Sequence, residues 1–232
     1  MIAVAGVLVC AAGATAQKRP QAPVSAAIKG TGATVNWSDG LIVARAGAAA
    51  DLRAPTASIA RIKAERTARR VAGEKALAAA ASVALRPGLV ADPKSAAWKS
   101  LATDLVTRSI VYTSDGSAIV EVGLPIESVR RAVARPDLAP PKRADGPTAL
   151  VVDATGVSVA PVIGLTITAG DESYAGPVLY FKKSAPRQRT GSRATRLKAS
   201  SHQRGALELG KSAASSLAAA RSAGAPVFVL IK

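Results

Sequence analysis

Residues Ser58 to Ala84 read SIARIKAERTARRVAGEKALAAAASVA, and this run decides the fold. Only Gly73 interrupts a series of good helix formers, and Pro87-Gly88 stops it, so one long helix is predicted. Ala60, Ala64, Ala68, Val71, Ala72, Ala76, Ala79 and Val83 recur three and four residues apart. Arg61, Lys63, Arg66, Arg69, Arg70 and Lys75 mostly point in other directions. A stripe of such small side chains lets a helix lie flat on a sheet.

The flanking segments supply that sheet. Val35-Asn36-Trp37 and residues 41–45 read as extended stretches around Ser38-Asp39-Gly40, where glycine supplies a positive φ. Residues 46–55 form a small-residue loop. A second helix is predicted over 95–107, after Asp92-Pro93, with Trp98, Leu101 and Leu105 on one side. Residues 109–112 and 118–124 flank Thr113-Ser114-Asp115-Gly116-Ser117, and Asp-Gly between two β-rich runs signals a hairpin. Val120, Val122 and Leu124 alternate with Ile119, Glu121 and Gly123, which gives an apolar face and a mixed one. A helical turn or two follows over 127–134.

Four prolines with Lys142, Arg143 and Asp145 make 136–148 a linker. Beyond it, strands are predicted at 149–152, 157–163 and 178–181, with Gly170-Asp171-Glu172-Ser173 as a turn. A basic insertion covers 182–204, an Ala/Ser/Leu-rich helix 205–222, and a terminal strand 226–231. The expected class is α/β (α+β): an antiparallel sheet backed by a long alanine-rich helix over 34–135, followed by a smaller α/β module over 149–232.

Composition fits a packed fold of 232 residues, of which 49% are hydrophobic and only 3% aromatic, so small side chains must build the core. The formal charge of +16 attracts an anionic partner such as lipopolysaccharide phosphate, anionic lipid or nucleic acid; it serves solubility equally well. The single cysteine, Cys10, excludes an internal disulfide and any multi-cysteine metal site.

Residues 2–16 are apolar and uncharged, too short to cross a bilayer as a helix, and end Ala14-Thr15-Ala16, the small-x-small pattern of a signal peptidase site. The expectation is an exported chain, with a signal peptide over 1–16, a flexible leader over 17–33 and no transmembrane span in the mature protein. Cys10 raises lipidation, but the branched Val9 before it makes a poor lipobox. No Lys or Arg precedes the apolar run, which suggests a start upstream of Met1.

Three stretches resemble a known family. Trp37 to Gly47 (WSDGLIVARAG) is similar to the opening strand and loop of the small bacterial lipoprotein family called Lpp-twenty, which also looks like the N-terminal domain of flagellar assembly protein T. Ala60 to Arg70 (ARIKAERTARR) is similar to its Ala-Arg helix pattern, and Ala149 to Val157 (ALVVDATGV) to a strand-Asp-Ala-x-Gly segment of longer relatives. The resemblance implies export, a compact α/β domain and, in some members, association with the outer membrane or a flagellar base, so periplasmic or outer-membrane placement is expected. It transfers no catalytic residue. The poor lipobox and the basic stretch depart from the pattern.

Chemistry is sparse. His202 is the only histidine and sits in the basic stretch, so neither a His-based metal site nor a triad is expected. Gly30-Thr31-Gly32 lacks the strand and helix of a dinucleotide loop. Asp153, Asp171 and Glu172 suit turns better than acid/base work, Asp153 through the backbone amides of the 154–156 turn. No catalytic, cofactor or metal site is expected. The basic cluster carries the sharp reading: Lys182, Lys183, Arg187, Arg189, Arg193, Arg196, Lys198 and Arg204 occur without one acidic residue among them. Such a density neutralises phosphates. It lacks the aromatic platforms or groove-reading helix of nucleic-acid binders, so envelope phosphate is the expected ligand, a flexible solvated loop being the alternative. The functional expectation is a non-catalytic envelope protein that interacts with itself or another envelope component, with polyanion binding through 182–204 as the second reading.

Overall fold

The computed structural model describes residues 22–134 and 146–232. The expected signal peptide, Cys10 and nearly all of the expected linker lie outside the described residues. Two sheets and one long helix organise the rest. The first sheet is antiparallel, in the order β1 (Ser25–Ile28), β2 (Ala33–Asn36), β3 (Leu41–Ala48), β5 (Ala118–Pro125), β4 (Val106–Tyr112). Helix α1 (Ala57–Ser82) lies across one face of it, and Thr56 caps the helix by accepting a hydrogen bond from the Ile59 amide at 3.3 Å.

The alanine stripe explains that contact. Ala68, Ala72, Ala76, Ala79 and Ala80 are fully buried against Ile42, Ala44, Val120 and Leu124. Gly73 completes it, because a Cβ there would stand 3.0 Å from Leu105 Cδ1. Each fully buried Val, Leu or Ile of the sheet contributes about 1.5–3 kcal/mol, so the helix is held more by the sheet's branched side chains than by its own methyls.

The second sheet is mixed, in the order β8 (Glu172–Tyr174), β7 (Thr166–Ala169), β11 (Ala206–Leu209), β10 (Ala194–Gln203), β6 (Ala149–Asp153), β12 (Val227–Ile231), β9 (Val178–Lys182). Strands β10, β6, β12 and β9 are parallel neighbours, while β10 pairs antiparallel with β11 after a bulge between Ala199 and Ser201. Leu150, Val152, Val227 and Val229 face a hydrophobic cluster that also takes in Trp37, Ile42 and the α1 alanines. The opposite face has a smaller cluster of Ala149, Val151, Phe181, Ala185, Phe228 and Leu230.

The halves interlock. Trp37 meets Tyr180 edge to face at 5.7 Å between centroids, and its carbonyl accepts the Tyr180 amide at 3.2 Å. The buried Ser38 hydroxyl donates to the Tyr180 carbonyl at 2.7 Å and accepts from the Val24 amide at 2.9 Å. The chain leaving α1 forms a parallel bridge, Leu85 to Ile163.

Several expectations need correction. The stretch read as leader contains β1, which pairs with β2 over Ser25–Asn36 to Ile28–Ala33. The second helix is only α2 (Ala96–Lys99) and a 3-10 turn (Ser100–Asp104), because Val106 already belongs to β4. Residues 157–163 form no strand; Ile163 makes one bridge. Glu172 and Ser173, read as turn, begin β8. The helix expected over 205–222 divides into β11, a 3-10 turn (Lys211–Ala213) and α5 (Ala214–Ala223), since Leu207 and Leu209 alternate into the core. The helical turns expected over 127–134 are present, as α3 (Ile126–Ala134). Among the described residues, no helix is long and apolar enough to cross a membrane.

Candidate functional site

The basic stretch is an ordered strap followed by a sheet strand. After Phe181 buries on the outer face, the backbone turns at Lys183, whose φ of 62° is left-handed. Ala185 and Thr190 then bury, and between them runs the short helix α4 (Arg187–Thr190). The Thr190 carbonyl accepts from the Thr148 hydroxyl at 2.7 Å. At Gly191, φ 72°, a Cβ would come within 2.8 Å of that hydroxyl, so only glycine lets the strap turn here.

Arg189 ties the strap to the first half of the chain. Its guanidinium donates to the Ser38 carbonyl at 2.7 Å and to Asp39 Oδ1 at 2.6 Å, and lies 5.8 Å from the Phe181 ring centre. It is therefore a structural anchor more than a free cation. Arg187 and Arg193 are exposed on the strap. Arg196 and Lys198 project from β10 on the outer face, beside Val151 and Asp153 of β6, with side chains roughly 7 Å apart along the strand. Lys182 and Lys183 sit where β9 ends, and the register of the parallel strands puts that end beside Ile231. Three strand spacings of about 4.8 Å separate it from Lys198.

All eight predicted cations are exposed, but the structure does not bring all eight together. Arg204 lies in the β10–β11 turn, φ 48°, on the order of 25 Å along β10 from Arg196. The candidate surface thus comprises Arg187, Arg193, Arg196 and Lys198, with Lys182 and Lys183 at its edge. Asp153 is the acid beside it. The Thr155 hydroxyl at 2.7 Å and amide at 3.0 Å hold its carboxyl below the usual range, and Lys198 and Arg196 add to the effect. The same bonds close the 154–156 turn.

The remaining polar candidates stand apart. His202 is half-buried in β10 opposite Leu207, not in a mobile loop, and its Nδ1 lies 3.0 Å from the Ser158 carbonyl. Glu172 pairs with Arg221 at 3.1 Å on β8, four strands from Asp153, and Asp171 occupies the β7–β8 turn. Among the described residues, no group of three or more His, Cys, Asp or Glu is placed to hold a metal ion. A cleft of about 240 Å³ opens where the 38–40 turn meets β9, walled by Trp37, Ile126, Val162 and Leu179. Arg130 also lines it, but its 3% exposed side chain is engaged by Glu127 at 2.6 and 2.7 Å and by the Ala175 carbonyl at 2.8 Å.

Sequence reasoning missed the anchoring role of Arg189 because its partners are 150 and 151 residues away, and nothing local marks them. Fold and surface together define an α/β protein with a structured cationic face. Compared with known proteins, the chain matches no family model, no curated protein and no solved structure.

Proposed function

We propose that this chain is a non-catalytic interaction protein of the bacterial envelope that attaches to a phosphate-bearing surface, such as lipopolysaccharide phosphate, through the strap and β10. The carrying observation is that Arg187, Arg193, Arg196 and Lys198 stand exposed on ordered backbone, with Asp153 the acid that Arg196 and Lys198 face. Cations held on a fixed scaffold lose less freedom when they grip an anion than cations on a loose tail. Arginine adds bidentate geometry for phosphate. The apolar run ending Ala14-Thr15-Ala16 supports export, and the resemblance to the Lpp-twenty family supports an envelope setting.

Replacing all four cations by glutamine tests the reading. Association with lipopolysaccharide is expected to weaken, and the slope of log affinity against log salt to fall by about 3, at roughly 0.7–0.9 per phosphate contact on the nucleic-acid scale. Unchanged binding refutes it, and equal displacement by duplex DNA replaces the envelope partner with nucleic acid. Cell fractionation with N-terminal sequencing tests location: a cytosolic protein retaining Met1 overturns export.

A further inference from the structure

A second surface, remote in sequence from the strap, combines exposed apolar side chains with cations. Eight large hydrophobic residues are exposed among those described; Leu52, at 94%, is the most open, and two of the others, Ile59 and Ile62, lie on the first turns of α1 at 39% and 48%. At about 100° per residue, Ile59, Ile62, Lys63, Arg66, Arg69 and Arg70 all fall within roughly 60° of one direction, pointing away from the Ala64, Ala68 and Ala72 stripe. They cover about 16 Å of helix length. Asp51 bonds Lys63 at 2.8 Å and so holds the Leu52 loop against this face.

We propose that this face, Leu52 with the outward side of α1 from Ile59 to Arg70, docks the protein on an anionic lipid bilayer. The apolar members would enter the headgroup boundary while the cations meet lipid phosphates. Three features select lipid over a second copy of this chain. The face is itself cationic, and a chain of charge +16 repels its like. Arg53 and Arg66 make no ion pair with a described residue, and the exposed Arg70–Glu74 pair is readily exchanged for phosphate, while Lys63 and Arg69 keep Asp51 and Glu65 as partners. Between Asp51, Lys63, Arg66 and Thr67 lies a cup of about 340 Å³, one residue along the chain from Leu52, with room for a phosphodiester head.

The test uses the full chain carrying Leu52→Trp, with vesicles of phosphatidylcholine alone or mixed with phosphatidylglycerol, some brominated in the acyl chains. Trp37 and Trp98 are buried, so the new indole reports the surface. Blue-shifted emission and bromine quenching are expected with phosphatidylglycerol only. In the otherwise native chain, Leu52→Ser should weaken vesicle co-sedimentation at least about tenfold, and Arg66→Gln about fivefold. A chain with Arg193, Arg196 and Lys198 replaced by glutamine should keep the quenching. Loss of quenching in that chain, binding without quenching, or no binding overturns the proposal. Because Leu52 is exposed, an unchanged thermal midpoint keeps misfolding from explaining the result.

Discussion

Replacing Arg189 by alanine separates its anchoring role from anion binding. The side chain makes two contacts across the halves and a third, to Phe181, within its own half, and their sum can be estimated. Losing a charged donor to the Ser38 carbonyl costs about 1.5–3 kcal/mol. The Asp39 pair, with side chains 43% and 36% exposed, is worth about 0–1 kcal/mol. The cation over the Phe181 ring adds about 0.5–1 kcal/mol. These terms overlap, so the expected loss is about 2–3 kcal/mol. Lysine has no fork and reaches one acceptor, so Arg189→Lys should recover about half. Urea unfolding followed by tryptophan emission measures this, because Trp37 precedes Ser38 and packs on Tyr180. Arg193→Gln, a neighbouring surface cation, should stay within about 0.5 kcal/mol. If Arg189→Ala shifts stability no more than Arg193→Gln does, the anchor is refuted and Arg189 returns to the anion-binding set.

Tyr180→Phe should destabilise by about 1–3 kcal/mol in the same assay, because the hydroxyl donates to the Val162 carbonyl at 3.0 Å and accepts its amide at 3.3 Å in a nearly dry site. Gly40→Ala should cost about 1–2 kcal/mol in thermal unfolding, since φ is +67° and the new methyl meets Leu179 Cδ2 at 2.9 Å; an unchanged midpoint would argue against the turn geometry. Asp115 is held down to about 2, first by the Thr113 hydroxyl and then by the Ser117 amide and hydroxyl. Its folded value lies below the unfolded 3.8, so its contribution is present above that pH and disappears as pH falls toward 2. The midpoint difference between the native chain and Asp115→Asn should therefore be seen at pH 6 and vanish near pH 2.

The first half was legible because its signals are local. The alanine spacing of α1, the Asp115-Gly116 hairpin and the alternation of Val120, Val122 and Leu124 each occupy one short window. The second half was less so. Ala206–Leu209 has strand alternation too short to stand out from the alanine-rich helix after it, and Ala194–Gln203 reads as loop because its outer face is charged. Parallel strands take their register from distant partners. Asp153 was readable as a turn former because Thr155 is two residues away, whereas the Arg189–Asp39 tie is invisible without the fold.

Strand β12 has a kinetic consequence. Val227 pairs with Leu150 on one side and Val178 on the other, so the middle of the parallel ladder brings together three segments widely spaced in the chain. Until it inserts, β6 and β9 each lack a hydrogen-bonding neighbour in the row that joins them. Closing such long loops before any contact repays the entropy makes this step slow compared with the hairpin and α1. A chaperone that recognises unpaired apolar strands would find its target in Ala149–Asp153 and Val178–Lys182 during that interval.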